Sequence, residues 1–394
     1  MSAVRPIYLD HHATTPVDPR VVEAMLPYFS DHFGNAASRQ HAFGWKADHA
    51  VDAARQQVAR LVGARAKEIV FTSGATEANT LALCGAVAAR RDRGTHVVTV
   101  ATEHANILDT CARLARQGCR VTVLPVESDG RVDVGRFTQA LQDDTVVASV
   151  MAANNEIGVR QPLPALAAAC RARGVWLHTD AAQAAGHVPF DVEALGVDLA
   201  SFSAHKMYGP KGVGALYVRR APRVTIEPQA VGGGQEQGLR AGTLNVPGVV
   251  GFGAAAALAH DGLAAEMARV AALRDRLLQG LQAGLDGVAV SGSMTERLPH
   301  NLHVRFAGVD GEALMAGLAD EVAVSAGSAC ASGSREPSHV MTALGVDVVD
   351  RWSAVRFGLG RGTTAAEIDR AVACVVDRVQ RLRAASPIAV GGRA

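Results

Sequence analysis

Residues 201–212 read Ser-Phe-Ser-Ala-His-Lys-Met-Tyr-Gly-Pro-Lys-Gly, SFSAHKMYGPKG, between the apolar runs 197–200 and 213–218. Both runs are short and bounded by Gly or Pro, so they read as strands. Lys206 then sits on a tight connection between two buried strands, next to His205 and close to glycine and proline. An amine held there is partly desolvated, which favours its neutral, nucleophilic form. That form makes a Schiff base with an aldehyde cofactor. The competing reading is a loop lysine pointing to water, the usual fate of this residue; its neighbours argue against it.

Working outward, strand-length apolar segments recur at 69–71, 97–100, 121–123, 146–151 and 175–178, each separated by a helical stretch. This alternation predicts an α/β fold with a mostly parallel sheet covered on both faces by helices. Ligands in such sheets bind beyond the carboxyl ends of the strands. Upstream, a strand is expected at 7–9 and helices at about 19–33 and 44–62. After Val218 the glycine-rich loop VGGGQEQGLRAGT (231–243) leads to an alanine-rich helical zone, and a long amphipathic helix is expected over about 262–284. Shorter strands at 302–306, 322–325 and 354–359 alternate with helices to the end. A chain of 394 residues exceeds one ordinary core. We expect a large domain, 16–262, and a small one formed by 1–15 and 263–394.

Composition narrows the function. Hydrophobic residues make up 48% and charged residues 20%, ordinary for a globular protein. The net charge of +1 leaves no basic excess for phosphates and argues against nucleic acid as a partner. No run approaches eighteen uninterrupted apolar residues and the N-terminus lacks a signal-peptide core, so a cytoplasmic protein without a membrane partner is expected. The six cysteines form no CxxC pair, which removes zinc-ribbon and thioredoxin readings. Five lie in patterned segments and read as small core residues. Cys330, in SAGSACASGS (325–334), has no core pattern around it, and an exposed thiol is expected.

Several residues at strand ends could carry chemistry. The turn Ser73-Gly74-Ala75-Thr76 joins a strand to a helix start, an anion site by its free N–H groups and the helix dipole; an ordinary N-cap competes. Asp180, at the strand end HTDAAQ (178–183), could pair with the pyridinium nitrogen of pyridoxal phosphate (PLP), making the ring an electron sink; an Asp cap competes. His104, in ATEHAN, could lie on a cofactor ring or carry a proton, or simply cap a helix. Ser203 and His205 could bind phosphate oxygens, and Asn155 offers an amide. Arg356, in VRFGLGR, could grip an amino-acid carboxylate with its guanidinium fork, against an ion pair within the small domain.

In their joint order these segments resemble the cysteine desulfurases of the IscS/NifS type, PLP enzymes of the class-V aminotransferase group with fold type I. The pieces that carry the resemblance include ATTPVDPRV, FGNAASRQHAFGW, EIVFTSGATEANTLA, TEHANILDT, NNEIGV, HTDAAQ, SFSAHKMYGPKGVGALYVRR, RAGTLNV, SAGSACAS and VRFGLGR, spanning Tyr8 to about Pro387. It implies a seven-stranded, mostly parallel sheet between helices plus a smaller α+β domain. It implies that Lys206 binds the cofactor covalently, Asp180 pairs with the ring nitrogen, Gln183 with the ring hydroxyl, and His104 stacks on the ring. Ala75, Thr76, Ser203 and His205 would hold the phosphate, joined by Thr243 from the second subunit of a homodimer. Asn155 and Arg356 would orient the substrate carboxylate, with Asn35 a further candidate.

The resemblance also implies the reaction: L-cysteine to L-alanine, the sulfur passing to Cys330 as a persulfide and then to acceptor proteins such as an iron–sulfur scaffold. A thiolate is required, since the thiol is a poor nucleophile. No intrinsic metal is implied, although Cys330 could transiently ligate a cluster shared with a scaffold. A selenocysteine lyase or another β-eliminating relative is the nearest alternative, and a non-catalytic docking protein on the same fold is the alternative of another kind. The chain departs from the usual pattern at His11-His12, Ala182, Gln235, Gln237 and Ala241, and its tail, SPIAVGGRA, is short for a scaffold-docking extension.

Overall fold

The computed structural model describes residues 5–326 and 338–385. The chain enters through β1 (Ile7–Tyr8), α1 (Pro19–Met25), α2 (Pro27–Ser30) and α3 (Ala42–Leu61). Where one helix was expected over 19–33 there are two. Pro27 has no N–H to donate back along α1, and it opens α2 instead. Asp18 caps α1 by accepting from the Arg20 amide.

The expected alternation follows: β2 (Ile69–Thr72), α4 (Ala75–Ala89), β3 (His96–Val100), α5 (Ala105–Arg116), β4 (Arg120–Leu124), α6 (Val134–Ala140), β5 (Thr145–Ser149), α7 (Leu163–Ala172), β6 (Trp176–Asp180), α8 (Val192–Leu195), β7 (Leu199–Ser203) and β8 (Gly214–Val218). Their strands form one seven-stranded sheet in the order β2-β8-β7-β6-β5-β3-β4. The pairs from β4 across to β7 are parallel, while β8 runs antiparallel to both its neighbours. The reason is length. A parallel crossover needs a dozen or more residues, usually a helix, and the Lys206 connection is too short for one. It therefore turns straight back and leaves Lys206 at the carboxyl end of β7. Every residue of β2, β3, β5, β7 and β8 is buried, as two covered faces require.

The expected alanine-rich helical zone and the long helix expected over about 262–284 are one helix, α9 (Val246–Gly284), with Asn245 accepting from the Gly248 amide at its start. Its glycines mark close packing rather than a loop. A Cβ on Gly251 would stand 2.5 Å from Met25 Sδ, and one on Gly253 would stand 2.6 Å from Ala54 Cα. By length and composition α9 could cross a bilayer, yet these glycines seat it against α1 and α3.

The remainder comprises β9 (Val288–Val290), β10 (Asn301–Phe306), α10 (Gly311–Leu318), β11 (Val322–Ala323), α11 (His339–Ala343), α12 (Val348–Arg351), β12 (Ala354–Gly358) and α13 (Ala365–Ala385). Here β12-β10-β9 form an antiparallel sheet, and β1 pairs in parallel with β11. Leu277, Leu281, Val304, Phe306, Phe357 and Val375 belong to an apolar cluster of their own, distinct from those flanking the large sheet.

Candidate active site

Strands β6 and β7 are parallel neighbours, so their carboxyl ends deliver Asp180 and Ser203 to the same edge of the sheet, with Asp180 in register with Ser201. The first turn of α4, reached from β2, faces that edge. Between them lies a cleft of about 640 Å³ bordered by Ala75, Thr76, His104, Asn155, Asp180, Gln183, Ser203, His205, Lys206 and Arg356. Ten of the thirteen candidate residues thus meet in one place.

Lys206 does not point to water. Its Nζ donates to the carbonyl oxygens of His12, at 2.6 Å, and Ala13, at 2.8 Å. The turn that presents it is closed by the amides of Met207 and Gly209, both donating to the Ala204 carbonyl. A side chain at Gly209 would collide with that carbonyl, its Cβ only 2.9 Å from the oxygen.

Asp180 is buried, at 6% exposure. Its Oδ2 accepts from Asn79 Nδ2 at 2.7 Å and its Oδ1 from the Ala182 amide at 2.9 Å. The local turn bond that competed with the functional reading is therefore made, without closing the carboxylate off from the cleft. Nearby Glu103 is fully buried, and burial, followed by the charge of Asp180, pushes its carboxyl well above the usual range. Both influences act against a second negative charge beside Asp180.

No side chain caps the first turn of α4, whose N-cap position is Gly74. A Cβ on Gly74 would meet nothing within 4 Å. Thr76 lies in that first turn, and its carbonyl accepts from Thr80 Oγ1 at 2.9 Å. An uncapped helix start with an open approach is suited to an anion. Ser203 and His205 stand beside it. Burial, then Lys206 and Lys211, lower the His205 pKa to about 4, so the ring is neutral; its Nδ1 lies 3.1 Å from Thr14 Oγ1.

His104 is the N-cap of α5, its Nδ1 accepting from the Asn106 amide at 3.1 Å. The capping role is real, and it places the proton of a neutral ring on Nε2. Arg356, on β12, is 1% exposed and pairs with Asp10 Oδ1 at 2.8 Å while donating to the Asn155 carbonyl at 2.7 Å. The ion pair that competed for Arg356 is present, on a guanidinium that also borders the cleft.

Three candidates lie elsewhere. Thr243 is exposed and does not border the cleft. Asn35 lines a separate groove with Gln235 and Gln237. Cys330 lies outside the described residues. Sequence reasoning missed His12, Ala13 and Asn79. Asn79 carries a readable signal, an amide at the fifth position of α4 just ahead of its apolar run 81–84. His12 had been noted only as a departure.

The donor set fits PLP. It offers an amine, a carboxylate for a ring nitrogen, an amide for a ring oxygen and an uncapped helix start for a phosphate, around a cleft that a Gly74 side chain would narrow. A family model described as Aminotransferase class-V matches residues 7–371. The chain is 59% identical over 383 residues to a cysteine desulfurase IscS of Anaeromyxobacter sp. (strain Fw109-5), covering 97% of this chain and 95% of the relative. It is 56% identical over 383 residues to the protein of the same name from Anaeromyxobacter dehalogenans (strain 2CP-C), with the same coverage. A solved NifS-like protein superposes with a TM-score of 0.90 at 35% identity, over 96% of this chain and all of that one.

Proposed function

We propose, on the premise that the chain belongs to the aminotransferase class-V family and to the IscS/NifS-type cysteine desulfurases within it, that the cleft around Lys206 holds PLP and that Cys330 accepts the sulfur. The protein is a PLP-dependent cysteine desulfurase acting on L-cysteine. When bound, the cofactor supplies an electron sink that acidifies the substrate's α-proton and weakens its bond from Cβ to sulfur.

The chain's own residues divide the remaining work. Lys206, whose Nζ the His12 and Ala13 carbonyls hold at the cleft, would be the residue that holds the cofactor covalently. Asp180, held by Asn79, would pair with the ring nitrogen, and Gln183 would bond the ring hydroxyl. The amides of Ala75 and Thr76, with Ser203 and His205, bind the phosphate. His104 would lie against the ring and, with Nδ1 occupied by the Asn106 amide, carry a proton at Nε2. Asn155 and Arg356 receive the substrate carboxylate. The Cys330 thiolate attacks the substrate sulfur: an S–S bond forms, the C–S bond breaks, and its electron pair stays on carbon and is protonated to the methyl group of alanine.

Residues 16–262 form the cofactor domain in this reading, and 1–15 with 263–394 the small domain that carries Cys330. A homodimer brings Thr243 of a second copy to the phosphate, and Asn35 is a further candidate for the substrate. The persulfide then passes to a cytoplasmic acceptor, an iron–sulfur scaffold being one such partner. The supporting observation is the convergence of Lys206, Asp180 and the uncapped start of α4 on one cleft.

The test is incubation with L-cysteine and a reductant, measuring alanine and sulfide for wild type and Cys330→Ala. The variant should keep its cofactor and lose nearly all sulfide release. Normal turnover would remove Cys330 from the mechanism.

A further inference from the structure

Behind the cleft a line of directional hydrogen bonds runs from Arg297 to Gln183. Arg297 is buried and its Nη1 donates to Asn301 Oδ1 at 2.7 Å. A guanidinium can only donate, so this bond settles which end of the Asn301 amide is oxygen. Asn301 Nδ2 then donates to the Glu156 carbonyl at 2.9 Å and to His12 Nε2 at 3.1 Å. His12 must accept at Nε2, which puts the proton of its neutral ring on Nδ1. From there it donates to Gln183 Oε1 at 2.8 Å, and Gln183 Nε2 donates back to the His12 carbonyl at 3.0 Å.

We infer that Arg297, Asn301 and His12 form a polarity relay that fixes Gln183 with its amide N–H end toward the cofactor's ring oxygen, making Asn301 and His12 positioning residues for the desulfurase reaction. The inference rests on the PLP reading of the cleft. A glutamine amide can present either end, and only the N–H end stabilises an anionic oxygen. One N–H of Gln183 is held by the His12 carbonyl, leaving the second to donate.

The surroundings keep the relay in one state. His12 is 1% exposed, and burial, together with Arg356, His187 and Lys206, opposes a positive charge on its ring, whereas the Gln183 bond favours one. His300 stacks on His12 at 4.4 Å between centroids, and His187 stacks on His300 at 4.0 Å. Burial lowers the pKa of both these rings too. A reversed Gln183 would set donor against donor at Nδ1 and oxygen against the His12 carbonyl, two unmade bonds in a buried place.

Two measurements test the relay. In cofactor-free protein labelled with ¹⁵N-histidine, the His12 ring, assigned by its loss in His12→Asn, should show the neutral Nδ1–H tautomer unchanged from pH 6 to 9. An Nε2–H tautomer, or titration in that range, overturns the inference whether or not the protein binds PLP. The second is the pH midpoint of the visible absorption of bound PLP. Losing a donor to the ring oxygen disfavours the more anionic high-pH form, so His12→Leu should raise the midpoint by about one unit. His12→Asn, whose amide can donate from the place of Nδ1, should restore the wild-type midpoint. Equal midpoints in all three proteins, or an equal shift in both variants, overturn the inference. Should His12→Leu not fold, the tautomer decides. Wild-type protein that binds no PLP refutes the cofactor reading instead and leaves the tautomer measurement standing.

Discussion

Asn79 Nδ2 donates to Asp180 Oδ2 at 2.7 Å, from the second turn of α4 to the last residue of β6. The same helix has an uncapped first turn on the cleft, so in the proposed reading α4 serves both ends of the cofactor site. Asn79 is 1% exposed, and its removal would leave a buried carboxylate oxygen without that donor. Hydrogen bonds to charged groups contribute about 1.5–3 kcal/mol. Asn79→Ala should therefore weaken PLP binding by roughly tenfold to a hundredfold, measured by fluorescence titration of cofactor-free protein. An unchanged affinity would remove Asn79 from the site.

Gly214 opens β8 directly against the start of α4. A Cβ there would lie 2.6 Å from Gly74 Cα and 2.5 Å from the Phe202 carbonyl oxygen. Both obstacles are backbone, so neither can swing aside, and overpacking of this kind costs about 1–3 kcal/mol. Gly214→Ala should lower the thermal midpoint and push Gly74 into the phosphate approach, weakening PLP more than it weakens folding. Equal wild-type values for both would mean the strand yields without cost.

What could be read from the sequence was local. Lys206 and Asp180 sit at strand ends, where a short apolar run followed by a polar turn announces the position before any tertiary contact is known. His12 and Asn301 act through partners 171 and 289 residues away, a relation that no local pattern encodes. The early part of α9 is legible as an alanine-rich helical zone but not as one helix with 262–284, because glycine discounts a helix, whereas Gly251 and Gly253 let Met25 and Ala54 approach. Pro27 was readable as a breaker and was passed over inside a longer periodic pattern. The capping bond of His104 and the ion pair of Arg356 show that a competing structural role and a place in the cleft can belong to one side chain.

Glu236 anchors the glycine-rich loop that leads to Thr243. Its carboxylate takes both ends of the Arg55 guanidinium at 2.7 Å and the Phe71 amide at 2.6 Å, from a residue held at φ 44°. A non-glycine residue in that region is strained, and these three bonds hold it there. Removing one partner of a buried pair costs about 3–5 kcal/mol. Glu236→Ala should destabilise the protein by roughly that amount in urea denaturation and loosen the loop, detected as faster proteolysis within 231–243. A variant as stable as wild type would show that the pair only breaks even with its desolvation.

Acid should unfold this protein through its histidines. Burial lowers His178 from 6.5 to about 4, with its ring between Ser149 Oγ at 2.9 Å and Ser201 Oγ at 3.0 Å. His303 falls to about 3 and His205 to about 4, again chiefly by burial. Between pH 4 and 6.5 the unfolded chain binds protons at these rings that the folded chain refuses, so stability rises with pH across that window. The contribution is complete above about 6.5 and is lost as pH falls through the folded values. For fully buried His178 alone the shift corresponds to roughly 3 kcal/mol. The thermal midpoint should be flat near pH 7–8 and drop steeply from pH 6.5 to 4. His178→Gln, which keeps an amide between the two serines and cannot titrate, should show a shallower drop. An identical slope would mean that the imidazole takes up its proton in the folded state.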